Sequence, residues 1–471
     1  MNQIVKIPQA KNEPVKSYAP GDTETLNLKS KLQEMKNTPV DIPMYIGSKE
    51  IFTEEKISMH PPHEINHTLG TFNKGNASHV EAAISAALEA KESWAKMPWE
   101  SRAAIFLRAA DLLAGPYRDR MNAATMLAQS KNAMQAEIDA ACEMIDFFKF
   151  NVQYMSEIYA QQPPENSPGV WNQLEYRPLE GFVFALSPFN FTSIAANLCS
   201  APAMMGNTVV WKPAETQIYS AQVIMELYKE AGLPDGVINL VYVDGPTTGD
   251  VIFNHRDFAG IHFTGSTGVF RHIWKTIGNN IDKYRSYPRI VGETGGKDFV
   301  MVHASADINQ VNTALVRGSF EFQGQKCSAA SRAYIPQSMW TKLKPILVET
   351  TNSLKMGTTE DFSNFINAVI DQKSFDKISS YIDRVNESSE AEVIAGGSYD
   401  DSDGYFIRPT VIETTNPAYA TMCDELFGPV LSRYVYPDNE YEKTLHLVDN
   451  TSEYALTGAI YAKGRENINT A

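Results

Sequence analysis

Cys327 is the residue in this chain whose neighbours best suit covalent chemistry. The stretch EFQGQKCSAASR sets it between Lys326 and Ser328, just beyond Gly324, in a polar junction that follows a helical pattern. A cation beside a thiol favours the reactive thiolate, so attack on an electrophilic carbon is the chemistry this setting allows. The other reading of a free cysteine is a small buried hydrophobe, and it suits Cys142 and Cys199, which stand among alanines and other apolar residues. A thiolate that attacks a carbonyl needs two helpers, a donor for the oxyanion and a base for any later water. Asn190, in SPFNF, follows an apolar strand, at the carboxyl end where ligands gather in open α/β sheets. Glu293, in GETGGK, lies among glycines that let backbone approach a ligand closely. Either could instead be a turn residue, since asparagine and glycine are common in turns, and singly each is a weak signal.

A scaffold large enough to hold such groups is available. At 471 residues the chain exceeds what one hydrophobic core supports, so two or three domains are expected. Hydrophobic residues at 43% and charged residues at 21% are ordinary globular usage, which argues against disorder, a fibre or a disulfide scaffold. A net charge of -15 disfavours nucleic acid and anionic membranes as partners, because polyphosphate binding relies on clustered Lys and Arg. Cys142, Cys199, Cys327 and Cys423 show no CxxC spacing, which fits a reducing compartment rather than a zinc ribbon or a secreted framework. The N-terminus has no apolar signal core and no Arg-rich transit character, and no run approaches the ~18 apolar residues of a membrane span. A cytoplasmic address is expected, or the mitochondrial matrix if the source is eukaryotic.

Residues 1–75 read as irregular or short-stranded. HPPHEINH offers His60, His63 and His67, but adjacent prolines stiffen the loop and no helical or hairpin ligand spacing is present, so no metal is expected. Ser78 and Glu81 form an S-x-x-E capping box ahead of Val80, Ile84, Ala87, Leu88 and Trp94, which recur at helical spacing. Two more helices are expected, over about residues 100–113 and 136–151. After the Pro-rich joint QQPPENSPG, the β-rich runs GFVFALSP, NTVVWKPA, VINLVYVDG and GIHFTGS alternate with helical stretches such as SAQVIMELYKEAG. Near-continuous apolar strands of this kind suit a parallel sheet covered on both faces. A second alternation brings DFVMVHA, SRAYIPQ and helices from about residues 307 and 339. The expected organisation is α/β: an N-terminal part over 1–160, a bridging or oligomerisation segment over 161–179, a βαβ core over 180–295 and a second α/β domain with the cysteine over 296–471.

From about residue 40 onward the sequence resembles the aldehyde dehydrogenase superfamily. The resemblance rests on SPFNF, GETGGK and GQKC, together with WKPAE (211–215), FTGS (263–266) and DELFGPV (424–430), in the family's order. It implies two Rossmann-like parallel α/β domains and a small oligomerisation flap. It also implies that Cys327 attacks an aldehyde, that the Asn190 amide and the Cys327 N–H hold the oxyanion, and that Glu293 activates the water that hydrolyses the thioester. No G-x-G-x-x-G is present: GSTGVF has Phe270 where many members have glycine. By resemblance, Lys212 and Glu215 reach the adenosine ribose of the cofactor. Ser187, Gly265 and Ser266 also belong to its site, the last two beside the pyrophosphate, and Glu425 with Phe427 positions the nicotinamide ribose. A carboxylate at 215 repels a 2′-phosphate and so favours NAD over NADP. From sequence alone, Lys212 and Glu215 would read as a solvated surface pair.

AEIDAACEMIDFFKFN, YPRIVGETGGKDFV and FEFQGQKCSAASRAYIP resemble the Δ1-pyrroline-5-carboxylate dehydrogenase branch more than general aldehyde dehydrogenases. That branch oxidises glutamate 5-semialdehyde to glutamate. The implied pocket would use Ser328 for the substrate carboxylate, Glu143 for its ammonium and Phe191 for its methylenes, although Glu143 also reads as a helix-surface charge. A glutamyl-phosphate reductase, which would not need Glu293 as a hydrolytic base, and a catalytically silent binding protein are the rival readings. A homodimer or higher homo-oligomer is the expected assembly. The chain stops at Ala471 in YAKGRENINTA without a helix-terminating signal, where members of the resembled family continue. The expectation is that a protein ending there binds NAD, oxidises the semialdehyde poorly and does not form the normal dimer.

Overall fold

The computed structural model describes residues 5–471, which fold as two compact units. The first comprises residues 5–59, 68–128 and 136–293, and the second 60–67, 129–135 and 294–471. The short stretches 60–67 and 129–135 therefore depart from the expected boundaries. Long-range bonds explain their allegiance: Ile65 N donates to Asp403 O, Tyr405 N to Pro62 O, and the Gln323 amide to Ser130 O.

In the first unit, β1 (Val40–Ile42), β4 (Lys56–Met59) and β5 (Gly70–Asn73) make a small sheet. The main sheet contains β2 (Met44–Ile46), β3 (Lys49–Ile51), β6 (Phe182–Ser187), β7 (Thr208–Pro213), β8 (Ile238–Leu240), β9 (Phe258–Thr264) and β10 (Arg289–Glu293), in the order β10-β9-β6-β7-β8-β2-β3. Strands β6 to β10 pair in parallel, and β2 and β3 join antiparallel. Every residue of β7 is buried, the pattern of an interior parallel strand. VINLVYVDG yields only the three-residue β8. Residues 161–179 hold no helix or strand and are mostly exposed.

Local chemistry explains where helices begin. The helix Ala77–Lys96 starts two residues before the expected position, because Asn76 rather than Ser78 is its cap: the Asn76 side chain accepts from Ser78 N, and His79 Nδ1 accepts from Asn76 N. The third expected helix is two pieces, a π-helical turn over Glu137–Cys142 and a helix over Glu143–Tyr159. A fifteen-residue helix, Thr23–Asn37, lies where an irregular chain was expected; it buries only Thr25, Leu28 and Leu32, too sparse a stripe to read in sequence.

Ahead of that helix, residues 10–18 are tied down by side chains. Ala10 N donates to Gln153 Oε1 (3.1 Å), Glu13 N to Asp146 Oδ1 (2.7 Å) and Lys16 N to Glu137 Oε1 (2.9 Å). Arg118 joins the strap to the body by pairing with Glu137 and with Glu13 and donating to Pro14 O. Burial alone would raise the Glu137 carboxyl, but the bonds from Arg118 and the Lys16 backbone outweigh it and hold the group below its ordinary value.

The second unit contains β11 (Asp298–Val302), β12 (Ala330–Pro336), β13 (Ala391–Ala395), β16 (Thr410–Thr414), β17 (Val430–Tyr436) and β18 (Gly458–Tyr461), in the order β13-β16-β17-β12-β11-β18. Two-residue strands β14 (Tyr399–Asp400) and β15 (Phe406–Ile407) form a separate ladder. Only β13 runs antiparallel to its neighbour in the six-stranded sheet. Val300, Val302 and Ile335 pack in one buried cluster with Leu315 of the helix Ile308–Phe320 and Leu343 of the helix Gln337–Ser353. Each such side chain contributes on the order of 1.5–3 kcal/mol by burial. Asp307 caps the first of these helices by accepting from Asn309 N and Gln310 N, and its far end delivers the chain to Cys327.

Candidate active site

Four parallel strands bring most of the expected residues of the first unit to one sheet edge. Ser187 ends β6, Lys212 lies at the end of β7 with Glu215 just beyond, Gly265 and Ser266 follow β9, and Glu293 ends β10. Since β6, β7, β9 and β10 are parallel neighbours, these are all carboxyl ends. The chain runs from β6 to β7 on one side and later returns to β9 on the other, so the strand order reverses between β6 and β9. That is the crevice where open α/β sheets bind ligands.

Each position has its own support. The Ser187 hydroxyl accepts from Trp211 Nε1 (2.9 Å), and the Ser187 carbonyl accepts from Ala214 N (3.0 Å). Lys212 is buried and Glu215 exposed, which corrects the reading of the two as a solvated pair. Burial lowers the Lys212 ammonium, with Glu215 and Asp244 opposing that shift. Gly265 N donates to Glu293 O (3.1 Å), linking the two strand ends, and a Cβ at 265 would meet the Phe263 ring at 2.7 Å. The unusual Phe270 stacks on Phe263 (5.2 Å between centroids), and only a glycine at 292 leaves space for its ring. Ser266 caps the thirteen-residue helix Thr267–Asn279 by accepting from Val269 N (3.3 Å). A capped helix N-terminus, a side-chain-free approach at Gly265 and a buried ammonium on the neighbouring β7 are a donor set that fits a dinucleotide.

Asn190 is buried in the turn between β6 and the helix Thr192–Met204, and Phe191 takes that helix's N-cap position. Ser193, in the first turn of the same helix, donates to Glu143 Oε2 (2.6 Å). Glu143 is therefore a partly buried, hydrogen-bonded carboxylate and not a solvated helix charge. Ser193 carried no sequence signal, because a serine after SPFNF is ordinary.

In the second unit, Cys327 is half-exposed in a turn closed by Ala329 N donating to Lys326 O (3.1 Å), with Ser328 exposed beside it. Cys142 and Cys199 are buried, and burial pushes both thiols up to about 12. The motifs that were dispersed in sequence meet here through backbone. A Cβ on Gly296 would strike Cys327 O (2.7 Å), one on Gly295 would touch Glu425 Cγ (3.5 Å), and one on Gly324 would run into Gly428 O. Phe427 takes a left-handed backbone, φ 59°. Just upstream of Cys327, Phe322 (φ 50°) and Gln323 (φ 54°) do the same, followed by Gly324 at φ 65°. Each non-glycine residue so held costs on the order of 1–3 kcal/mol.

Lys297 closes the GETGGK motif. It is fully buried, and burial lowers its ammonium while Glu425 opposes the shift; burial likewise raises the Glu425 carboxyl against Lys297 and Lys377. A lysine that closes a glycine-rich motif, where its aliphatic stem is bound to be covered, was the available signal. The rings of His60 and His63 are engaged otherwise: His60 Nδ1 lies 2.8 Å from His67 O, and His63 Nδ1 lies 2.6 Å from Ser130 Oγ. Among the described residues no group of three or more His, Cys, Asp or Glu could hold a metal ion, and no helix is long and apolar enough to cross a membrane.

The family model described as the aldehyde dehydrogenase family matches residues 51–471. The chain belongs to the aldehyde dehydrogenase family. Within it, this member is similar to the mitochondrial delta-1-pyrroline-5-carboxylate dehydrogenase of Dictyostelium discoideum, at 50% identity across 99% of this chain and 84% of the relative. The mitochondrial protein of the same name from Homo sapiens is 44% identical across 98% of this chain and 82% of its own. Among solved structures, the delta-pyrroline-5-carboxylate dehydrogenase of Mycobacterium tuberculosis bound with NAD superposes with a TM-score of 0.96 at 49% identity, covering 100% of this chain and 87% of that one. The expectation of two parallel α/β domains of the family's kind is thereby met.

Proposed function

We propose that the chain oxidises L-glutamate 5-semialdehyde, the open form of Δ1-pyrroline-5-carboxylate, to L-glutamate with NAD in proline catabolism. The observation that carries this reading is near full-length similarity to relatives named for that dehydrogenase, in a chain that keeps Cys327, Asn190 and Glu293.

The Cys327 thiolate adds to the aldehyde carbon, and the Asn190 amide and the Cys327 N–H donate to the resulting oxyanion. Bound NAD supplies the hydride acceptor for that carbon. Glu293 takes a proton from the water that opens the Cys327 thioester, which releases glutamate and the thiol. Lys212, Glu215, Ser187, Gly265, Ser266, Glu425 and Phe427 hold the dinucleotide. Ser328 donates to the substrate carboxylate, Glu143 supplies the charge for its ammonium, and Phe191 covers its methylenes.

An NADH absorbance assay with Δ1-pyrroline-5-carboxylate tests the reading. Steady NADH formation, faster than with a simple aliphatic aldehyde, is expected, and its absence would overturn the assignment. The exposed segment 161–179, with Trp171 84% exposed, supports a homodimer or higher homo-oligomer, to be measured by light scattering. A nucleophilic thiol calls for a reducing compartment, the cytoplasm or the mitochondrial matrix.

A further inference from the structure

We propose that Gln323, locked by a buried His63–Ser130 pair, is a positioning residue for Cys327. The inference rests on the reading of Cys327 as the nucleophile and names what holds it in place.

Three consecutive left-handed residues, Phe322, Gln323 and Gly324, end just before the Cys327 turn. L-residues visit this conformation singly, so two non-glycine residues in succession persist only where surrounding structure over-determines them. Gln323 is fully buried and spends its whole amide on backbone: Nε2 donates to Ser130 O (3.1 Å) and Ala368 O (2.8 Å), and Oε1 accepts from Asn367 N (3.0 Å). Gln325, on the other side of Gly324, accepts from Ile370 N (2.9 Å). The Lys131 ammonium lies 4.4 Å from the centre of the Phe322 ring.

The network continues outward. Ser130 is itself buried at φ 53°, and its hydroxyl shares a 2.6 Å hydrogen bond with His63 Nδ1. His63 Nε2 lies 3.3 Å from Thr359 Oγ1 and 3.6 Å from Glu360 Oε2. A loop that only joined the helix Ile308–Phe320 to β12 would need none of this, because one glycine can reverse a chain without a strained pair before it. The strain sits where the direction of one thiol and one backbone N–H must be set, and the histidine of HPPHEINH is its far anchor rather than a metal ligand.

The test is Gln323→Met, which keeps the bulk and removes the bonds, read by the rate of Cys327 alkylation by iodoacetamide against pH, by kcat and by KM. A fall in kcat on the order of 10–100-fold is expected, with a slowed and displaced alkylation profile and KM for NAD nearly unchanged. Should Gln323→Met not fold, Ser130→Ala provides the second arm, since it keeps the Ser130 carbonyl and removes only the hydroxyl on His63; slower alkylation and lower kcat are expected. A lower melting temperature with wild-type kcat and a wild-type alkylation profile in the folded variant would overturn the proposal and leave the network purely structural. Alkylation is located by mass spectrometry and needs no turnover, so this failure is distinct from a failure of the nucleophile reading, which activity in Cys327→Ser would reveal.

Discussion

The sheet edge of the first unit and the Cys327 loop of the second both hold chemical groups still, but by opposite means. Along the edge, β6, β7, β9 and β10 end in register; β7 itself presents Lys212, and relaxed turns after β6 and β9 present Asn190, Gly265 and Ser266. Around Cys327 the backbone is strained at Phe322 and Gln323 and held by buried amides from residues distant in sequence. Regular secondary structure suffices to line up side chains along an edge, whereas the turn before Cys327 takes conformations that only surrounding structure can enforce.

The largest break in this comparison is expected at Cys327. Cys327→Ser should lower kcat by about 10⁴-fold or more while NAD still binds, as steady-state kinetics and a fluorescence titration would report. Cys199→Ser, in the buried core, should move the melting temperature and leave kcat near wild type. Glu293→Gln comes next: turnover should fall roughly 10²–10⁴-fold, but a burst of NADH close to one per active site should remain in rapid-mixing traces. Loss of the burst would place Glu293 at an earlier step.

Stability should show a third contrast, at the N-terminal strap. Arg118→Met leaves the buried Glu137 without its charged partner and should cost about 3–5 kcal/mol near neutral pH in denaturant unfolding. Glu137 and Glu13 are both held below their ordinary value of 4.5, so their contribution is present above that pH and is lost as pH falls through their lowered folded values. The gap between wild type and variant should therefore narrow below pH 4.5; a constant gap would refute the pairing.

Glycines sharpen the comparison further. Gly324→Ala puts a methyl against Gly428 O at φ 65° and should cost about 1–3 kcal/mol along with activity. Gly268, with open space around its Cβ position, should accept alanine with no loss and a gain of up to about 1 kcal/mol, read from melting curves. The smallest effect belongs to the exposed Glu215. Glu215→Gln should narrow the preference for NAD over NADP roughly threefold to fivefold, the scale of a solvent-exposed charge interaction of up to about 1 kcal/mol.

Much of this was legible in the chain itself. Apolar runs announced β6, β7, β9, β11 and β12, since residues buried on both faces of a parallel sheet must nearly all be apolar. Cys327, Asn190 and Glu293 stood out because their neighbours are glycines, turn residues and a cation. The helix Thr23–Asn37 did not stand out, because two leucines and a threonine make its whole buried stripe. Nor did the Asn76 cap, since any of several polar residues near a helix start can serve and only backbone geometry selects one.

Residue type and local spacing thus determined the fold class, the strand order along the chain and which thiol stands as the candidate nucleophile, because these follow from short-range periodicity and side-chain chemistry. Tertiary structure alone decided that Lys212 and Lys297 are buried, that Glu143 takes the Ser193 hydroxyl, and that His63, Ser130 and Gln323 form one network. Each of those depends on partners brought together from far along the chain, and the strained turn before Cys327 exists only because those partners overrule what its own sequence prefers.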